Sequence, residues 1–283
     1  MLDQWILSGF ADEIDTDIFK QINLLKGLGQ TCIELRSAND KNIADYTIDE
    51  ARELKRVLNE AGMKVSAIGS PIGKISIKDD FADHFAKYQH VVELAKIFDT
   101  PYIRMFSFYI PEGEEVELYE QEVMDRMKEM IDYAVESNVV LLHENEKGIY
   151  GAKATECFKL MEVFYGEHFK AVFDFANFIQ VNQNPLEAYQ RLEKYIAYVH
   201  VKDALLQNGM VVPPGEGDGQ LKTIFQLLRN NGYCGYISLE PHLAEFTGFS
   251  SLEKHGAINK KMTGEEAYAL AYNSFMKIME EIK

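Results

Sequence analysis

Val139-Val140-Leu141-Leu142-His143-Glu144-Asn145-Glu146 is the stretch that decides the fold. An apolar run stops at a carboxylate, with an amide and a second carboxylate behind it. Three later runs stop in the same way: Val172-Phe173-Asp174, Val199-His200-Val201-Lys202-Asp203 and Ser238-Leu239-Glu240-Pro241-His242. The ionisable residues that end them, Glu144, Asp174, His200 and Glu240, are separated by 30, 26 and 40 residues. Each gap is about the length of one strand, one helix and their loops.

The same alternation extends outward to both ends of the chain. β-branched or aromatic runs lie at 5–10, 31–36, 64–69, 102–108, 139–144, 170–174, 196–201 and 236–240. Segments with helical spacing follow them near 15–28, 48–61, 81–98, 115–136, 154–165, 185–192, 221–230 and 264–282. Thr47 and Glu50 form a capping box, Asn184-Pro185 marks a helix start, and Gly29, Gly62 and Gly232 mark helix ends. Eight strand–helix pairs predict a single-domain (β/α)₈ TIM barrel over residues 1–283. The alternative is an open doubly wound sheet. Its phosphate loop is missing, because the first strand leads into Gly9-Phe10-Ala11-Asp12-Glu13. Gly215-Glu216-Gly217-Asp218-Gly219 is glycine-rich, but its two carboxylates make a poor phosphate cradle.

With 283 residues and 47% hydrophobic composition, the chain can bury one sizeable core. Its 29 basic and 45 acidic side chains give a net charge of −16. That surface repels phosphate backbones and anionic membranes, so neither nucleic acid nor membrane is an expected partner. No apolar run approaches the roughly 18 residues of a membrane span. No signal-peptide pattern opens the sequence, and Cys32, Cys157 and Cys234 form no disulfide framework or CxxC pair. The expected compartment is the cytoplasm.

In a TIM barrel, chemistry sits at the C-terminal ends of the strands. Strand alternation aims Glu144 inward together with Leu142, Asp174 with Val172, His200 with Tyr198 and Lys202, and Glu240 with Ser238. Three buried carboxylates at one point repel one another, and a divalent cation resolves that conflict. One imidazole and three carboxylates make a hard, oxygen-rich set suited to one Mn, Mg or Co ion, with Zn as a further candidate.

These motifs bring a resemblance into view. The Glu-Asn at 144–145, Asp174, His-x-Lys-Asp at 200–203, Pro214–Gly219 and Ser-Leu-Glu-Pro-His at 238–242 resemble the sugar phosphate isomerase/epimerase superfamily, with its xylose-isomerase-like TIM barrel. Gly9-Phe10-Ala11-Asp12-Glu13 and Ile33-Glu34-Leu35-Arg36 extend the resemblance to the first half. It implies that Glu144, Asp174, His200 and Glu240 bind one divalent metal. It also implies that Glu144 and Glu240 are the acid–base pair of an isomerase or epimerase acting on a small sugar through an enediolate. A homodimer or homotetramer is the assembly such barrels suggest. The alternatives are a keto-polyol dehydratase on the same site and a non-catalytic sugar-binding barrel. A histidine-rich, DNA-cleaving relative of the fold is excluded by the acidic charge and the missing histidine motifs. Two departures are visible. Asn177 stands where the sugar epimerases carry a histidine, and Lys202 is the nearest cation where they carry an arginine.

Further candidates surround this set. Lys202, Asn177, Arg104 and Glu34 are the proposed substrate-binding residues. Lys202 either holds a substrate anion or pairs with Asp203 or a pocket carboxylate. Arg104 either meets substrate or pairs with Glu34 or Glu144. Arg36 ends strand two beside Glu34. Glu146 is a supporting residue, and His242 divides between a site role and a loop role. His143 is read as packed, His168 as structural, and His84 and His90 as solvated. The stretch 246–262, without periodicity, is read as a lid or subunit contact.

Overall fold

A computed structural model describes residues 5–247, 249, 253 and 261–282. Eight parallel strands carry the fold: β1 Ile6–Gly9, β2 Cys32–Leu35, β3 Lys64–Ile68, β4 Tyr102–Met105, β5 Val140–Glu144, β6 Phe169–Asp174, β7 Ile196–Val201 and β8 Tyr236–Leu239. Each hydrogen-bonds to the next from β2 through to β8, and β8 pairs with β1. β1 and β2 pack side by side and close the barrel. The helices are α1 Ile18–Gly27, α2 Ile48–Glu60, α3 Phe81–Ile97, α4 Glu120–Ser137, α5 Ala154–Phe164, α6 Phe175–Gln180, α7 Pro185–Leu192, α8 Leu221–Asn230 and α9 Gly264–Glu281.

The local signals hold. Thr47 and Glu50 exchange both capping-box bonds at the start of α2. Asn184 caps α7 ahead of Pro185. Gly62 turns the chain with φ +72°, a left-handed conformation that glycine adopts without strain. The segment expected as one helix from 115 begins instead as a tighter 3₁₀ turn, Val116–Tyr119, before α4. Helix α6 is an addition that apolar spacing did not reveal. It starts directly at the end of β6, where Asp174 Oδ1 accepts a hydrogen bond from Asn177 N at 2.7 Å.

Side-chain parity follows the strand alternation. Ala67, Leu142, Val172 and Tyr198 fill the barrel interior. A polar string crosses it: Ser66 Oγ donates to Ile33 O at 3.1 Å and accepts from Ser8 (2.6 Å) and Tyr198 (2.8 Å). The opposite faces carry Leu141, Phe173, Val199 and Ile237 into the larger core between strands and helices. That layer holds most of the buried apolar side chains among the described residues. Among the described residues, no helix is long and apolar enough to cross a membrane.

Candidate active site

Strand register sets the site. Asp174 lies opposite His200 across β6 and β7, and Ser238 lies opposite His200 across β7 and β8. Glu144 ends β5, and Glu240 stands one residue past β8. The four therefore arrive at one level, and each offers a ligand atom within 4.8 Å of the others. All four are buried, none more than 3% exposed.

Buried charge of this density needs compensation. His200 Nδ1 is 2.8 Å from Glu144 Oε1, and its Nε2 is 3.1 Å from Glu34 Oε2. Burial opposes a charge on His200, but Glu144 and Glu34 outweigh it and hold its pKa well above the usual imidazole range. Arg104 Nη1 reaches Glu144 Oε2 at 3.3 Å and lies 3.9 Å from Glu240 Oε1. Glu144 is buried, yet His200 and Arg104 bring its pKa down to about 2. Lys202 Nζ donates to Glu240 Oε2 at 2.8 Å. Burial again opposes, but Lys202 and His242 keep Glu240 well below the ordinary carboxylate range. Asp174 differs. Its burial and the neighbouring Glu240 and Glu144 outweigh Lys202, and its pKa is pushed up to about 7. Lys202 Nζ lies 3.2 Å from Asp174 Oδ2, but this oxygen has no hydrogen bond among the described residues. The first oxygen of Asp174 caps α6, so the second is the one that faces Lys202.

The donor set fits a divalent ion. Three carboxylates and an imidazole converge, one buried carboxylate oxygen lacks a hydrogen bond, and Asp174 is the group whose charge the protein leaves least balanced. His200 is oriented for the task by Glu34, which meets its far nitrogen as outer partners of ligating histidines do.

The other sequence-predicted residues occupy definite places. Asn177 Nδ2 donates to Asn145 O at 2.9 Å and reaches Glu144 Oε1 at 3.4 Å, so its amide braces two strand ends. Lys202 pairs with pocket carboxylates and not with Asp203. Asp203 instead accepts the N–H groups of Ala204, Gly215, Gly217 and Gly219 at 2.9–3.0 Å, which folds the glycine-rich stretch into a compact loop. Glu146 pairs with Lys74 at 3.1 Å at the rim. His143 packs outward against Ser107 at 2.9 Å, and His168 meets Val139 O at 2.7 Å. The solvated reading of His84 and His90 is corrected. His84 is buried and its Nε2 accepts Gly73 N–H at 2.7 Å, while His90 Nε2 meets Tyr46 O at 2.8 Å. Position on a helix does not fix exposure when a neighbouring loop folds over that helix.

Sequence reasoning assigned no role to Glu13. It lies after β1 beside Arg36, which contacts Asp12 at 2.7 Å and both Glu13 and Glu240 at 3.2 Å. The signal was present, since Gly9-Phe10-Ala11-Asp12-Glu13 ends a strand as the four ligand strands end. Most of 246–262 lies outside the described residues. Within it, Glu253 contacts His242, Gln180 and Lys147.

A profile of the family described as xylose isomerase-like TIM barrel matches residues 22–266. The chain belongs to that family. It is 23% identical over 220 residues to 2-oxo-tetronate isomerase of Haemophilus influenzae, covering 72% of this chain and 84% of the relative. The probable 3-DHS dehydratase AsbF of Bacillus anthracis superposes with a TM-score of 0.73 at 17% identity, over 97% of this chain and 98% of that one. The IOLI protein, solved with a zinc atom, superposes with a TM-score of 0.75 at 16% identity, over 98% and 99%. The family is thus one of enzymes, with isomerases and dehydratases among this chain's relatives, and the two solved structures share its fold.

Proposed function

We propose that this xylose isomerase-like barrel is a divalent-metal-dependent isomerase or epimerase of a small sugar or sugar derivative. The observation that carries the reading is the convergence of Glu144 and Glu240, from strand ends three strands apart, on one centre shared with Asp174 and His200. Glu144, Asp174, His200 and Glu240 would hold the ion. Once bound, it would polarise a ketose carbonyl and acidify the neighbouring C–H.

The chain's own residues supply the rest. Glu144 and Glu240 approach the centre from different strands, and both are kept ionised by cations, so either can take a proton from carbon. Returning the proton to the opposite face epimerises, and returning it to the next carbon isomerises. Arg104 and Lys202 lie between the carboxylates and would meet substrate oxygens. The low exposure of the centre excludes water, which strengthens each of these interactions.

A specific observation also favours dehydration as a second reading. The chain is similar to inosose dehydratase of Lacticaseibacillus casei, at 24% identity over 126 residues, and the same centre would serve loss of a hydroxyl group next to the acidified carbon.

The test is elemental analysis of the purified protein beside Glu144→Ala and His200→Ala, followed by C–H exchange in D₂O with 2-oxo-tetronate and inosose. One equivalent of Mn, Mg, Co or Zn, lost in both variants, with metal-dependent exchange in the wild type, supports the proposal. Metal that survives both substitutions sinks it. Metal bound without exchange leaves the sugar-binding barrel as the better reading.

A further inference from the structure

Beyond the four-residue set, the site holds one more imidazole. His242 follows Glu240 by two residues and is only 2% exposed. Its backbone N–H donates to Glu13 Oε2 at 2.7 Å. Its Nδ1 is 2.7 Å from Glu253 Oε1, a carboxylate that can only accept, so Nδ1 carries the hydrogen. Phe246 and Phe249 pack on the ring at 5.4 and 6.0 Å. The backbone of His242 is held at φ +48°, the left-handed region that side chains other than glycine rarely adopt. Such strain persists only where the surroundings over-determine it, and it clusters at ligand-contacting positions.

The other ring nitrogen is the unusual one. His242 Nε2 has no hydrogen bond among the described residues. It stands 3.5 Å from Glu13 Oε1 and 3.5 Å from Glu240 Oε1, beyond the usual reach of an N–H···O bond. A second metal ion is not the natural occupant, because Arg36 already places its guanidinium 3.2 Å from those same two oxygens. An anion is disfavoured by the flanking carboxylates. A hydroxyl group fits. With Nδ1–H committed to Glu253, Nε2 presents a hydrogen or a lone pair according to its protonation, and a hydroxyl can answer either.

We propose that His242 Nε2 hydrogen-bonds a hydroxyl of a polyhydroxylated substrate, next to the carbon served by Glu240, with Glu253 and Glu13 as positioning residues. This rests on the sugar reading above. It makes His242 a specificity determinant, because a site built to bond a hydroxyl rejects the analogue that lacks it.

The experiment uses manganese-loaded protein titrated calorimetrically with xylitol, erythronate and myo-inositol. The variants are His242→Leu, His242→Gln and Glu253→Ala, with manganese affinity measured separately for each. The best-bound probe should bind about tenfold more weakly to His242→Leu, the scale of one lost hydrogen bond. His242→Gln, whose amide can replace Nε2, should restore most of the affinity, and Glu253→Ala should fall between. Manganese affinity should stay within twofold throughout. A His242→Leu protein that melts earlier but binds the probe as the wild type does would overturn the proposal, since the ring would then be only structural. Loss of manganese in His242→Leu would overturn it too, placing His242 in the metal set. Wild type that holds manganese but binds none of the probes refutes the sugar reading, and this contact with it.

Discussion

The two halves of the barrel do different work. Strands β5 to β8 deliver Glu144, Asp174, His200 and Glu240. Strands β1 to β4 deliver a frame: Phe10, Glu34, Arg36 and Arg104. The Phe10 ring lies against His200 at 5.1 Å and beneath Arg36 and Arg104 at 4.5 and 4.9 Å. Each acid–base carboxylate is met by a guanidinium from the other half, Glu144 by Arg104 and Glu240 by Arg36. Asp174 has no such partner; its nearest cation is Lys202 of its own half. His200 and Arg104 hold Glu144 ionised, Lys202 and His242 do the same for Glu240, and Asp174, with only Lys202 beside it and two carboxylates near, is pushed up to about 7. The donors gathered in one half are balanced by cations from both: Arg36 and Arg104 from the first half, Lys202 and His200 from the second.

The sharpest way to break this division is to separate loss of activity from loss of fold. Glu240→Gln keeps size and an oxygen donor but cannot move a proton. Turnover should drop by about 10²–10⁴-fold, with circular dichroism and melting temperature nearly unchanged. If Glu240→Gln unfolds as readily as a frame variant, the division fails.

The frame half should fail through stability. Arg36→Met leaves Asp12, Glu13 and Glu240 without their shared cation, at a cost of about 3–5 kcal/mol in urea unfolding. Arg104→Met should cost less, because Glu144 keeps His200 at 2.8 Å. The reverse order would show that Arg104, not Arg36, is the main counter-charge.

The smallest effect concerns the loop after β3. His84 must be neutral at Nε2 to accept from Gly73, and burial lowers its pKa to about 4 from the usual 6.5. The unfolded chain therefore takes up this proton first as pH falls. The stabilisation is full above about pH 6.5 and is lost progressively toward pH 4. Between pH 7 and pH 5 the loss is about 2 kcal/mol from this residue. His84→Gln, which retains an acceptor but does not titrate, should flatten that part of the pH–stability curve. An unchanged slope would remove His84 as its source.

Much of this is legible in the sequence. Period and punctuation located the eight strands, because apolar runs and caps are local signals. Strand parity aimed Glu144, Asp174, His200 and Glu240 inward, because alternation is a property of the extended backbone itself. Lys202 was placed near the centre for the same reason, but its partner was not. Asp203 was nearer in sequence, yet its oxygens are consumed by four backbone N–H groups. Helix α6 was missed because its six residues carry no readable period and its cap is the site aspartate.

The sequence by itself determined the number of strands, the direction of their side chains and the four groups at their ends. These follow from backbone geometry and from patterns within a few residues. Only the tertiary structure decided which charges neutralise which, that Glu13 and His242 join the site, and that one oxygen of Asp174 and one nitrogen of His242 are left over. Those outcomes depend on distances between residues as far apart as Glu13 and His242, where local pattern carries no information and electrostatic balance in a buried volume decides.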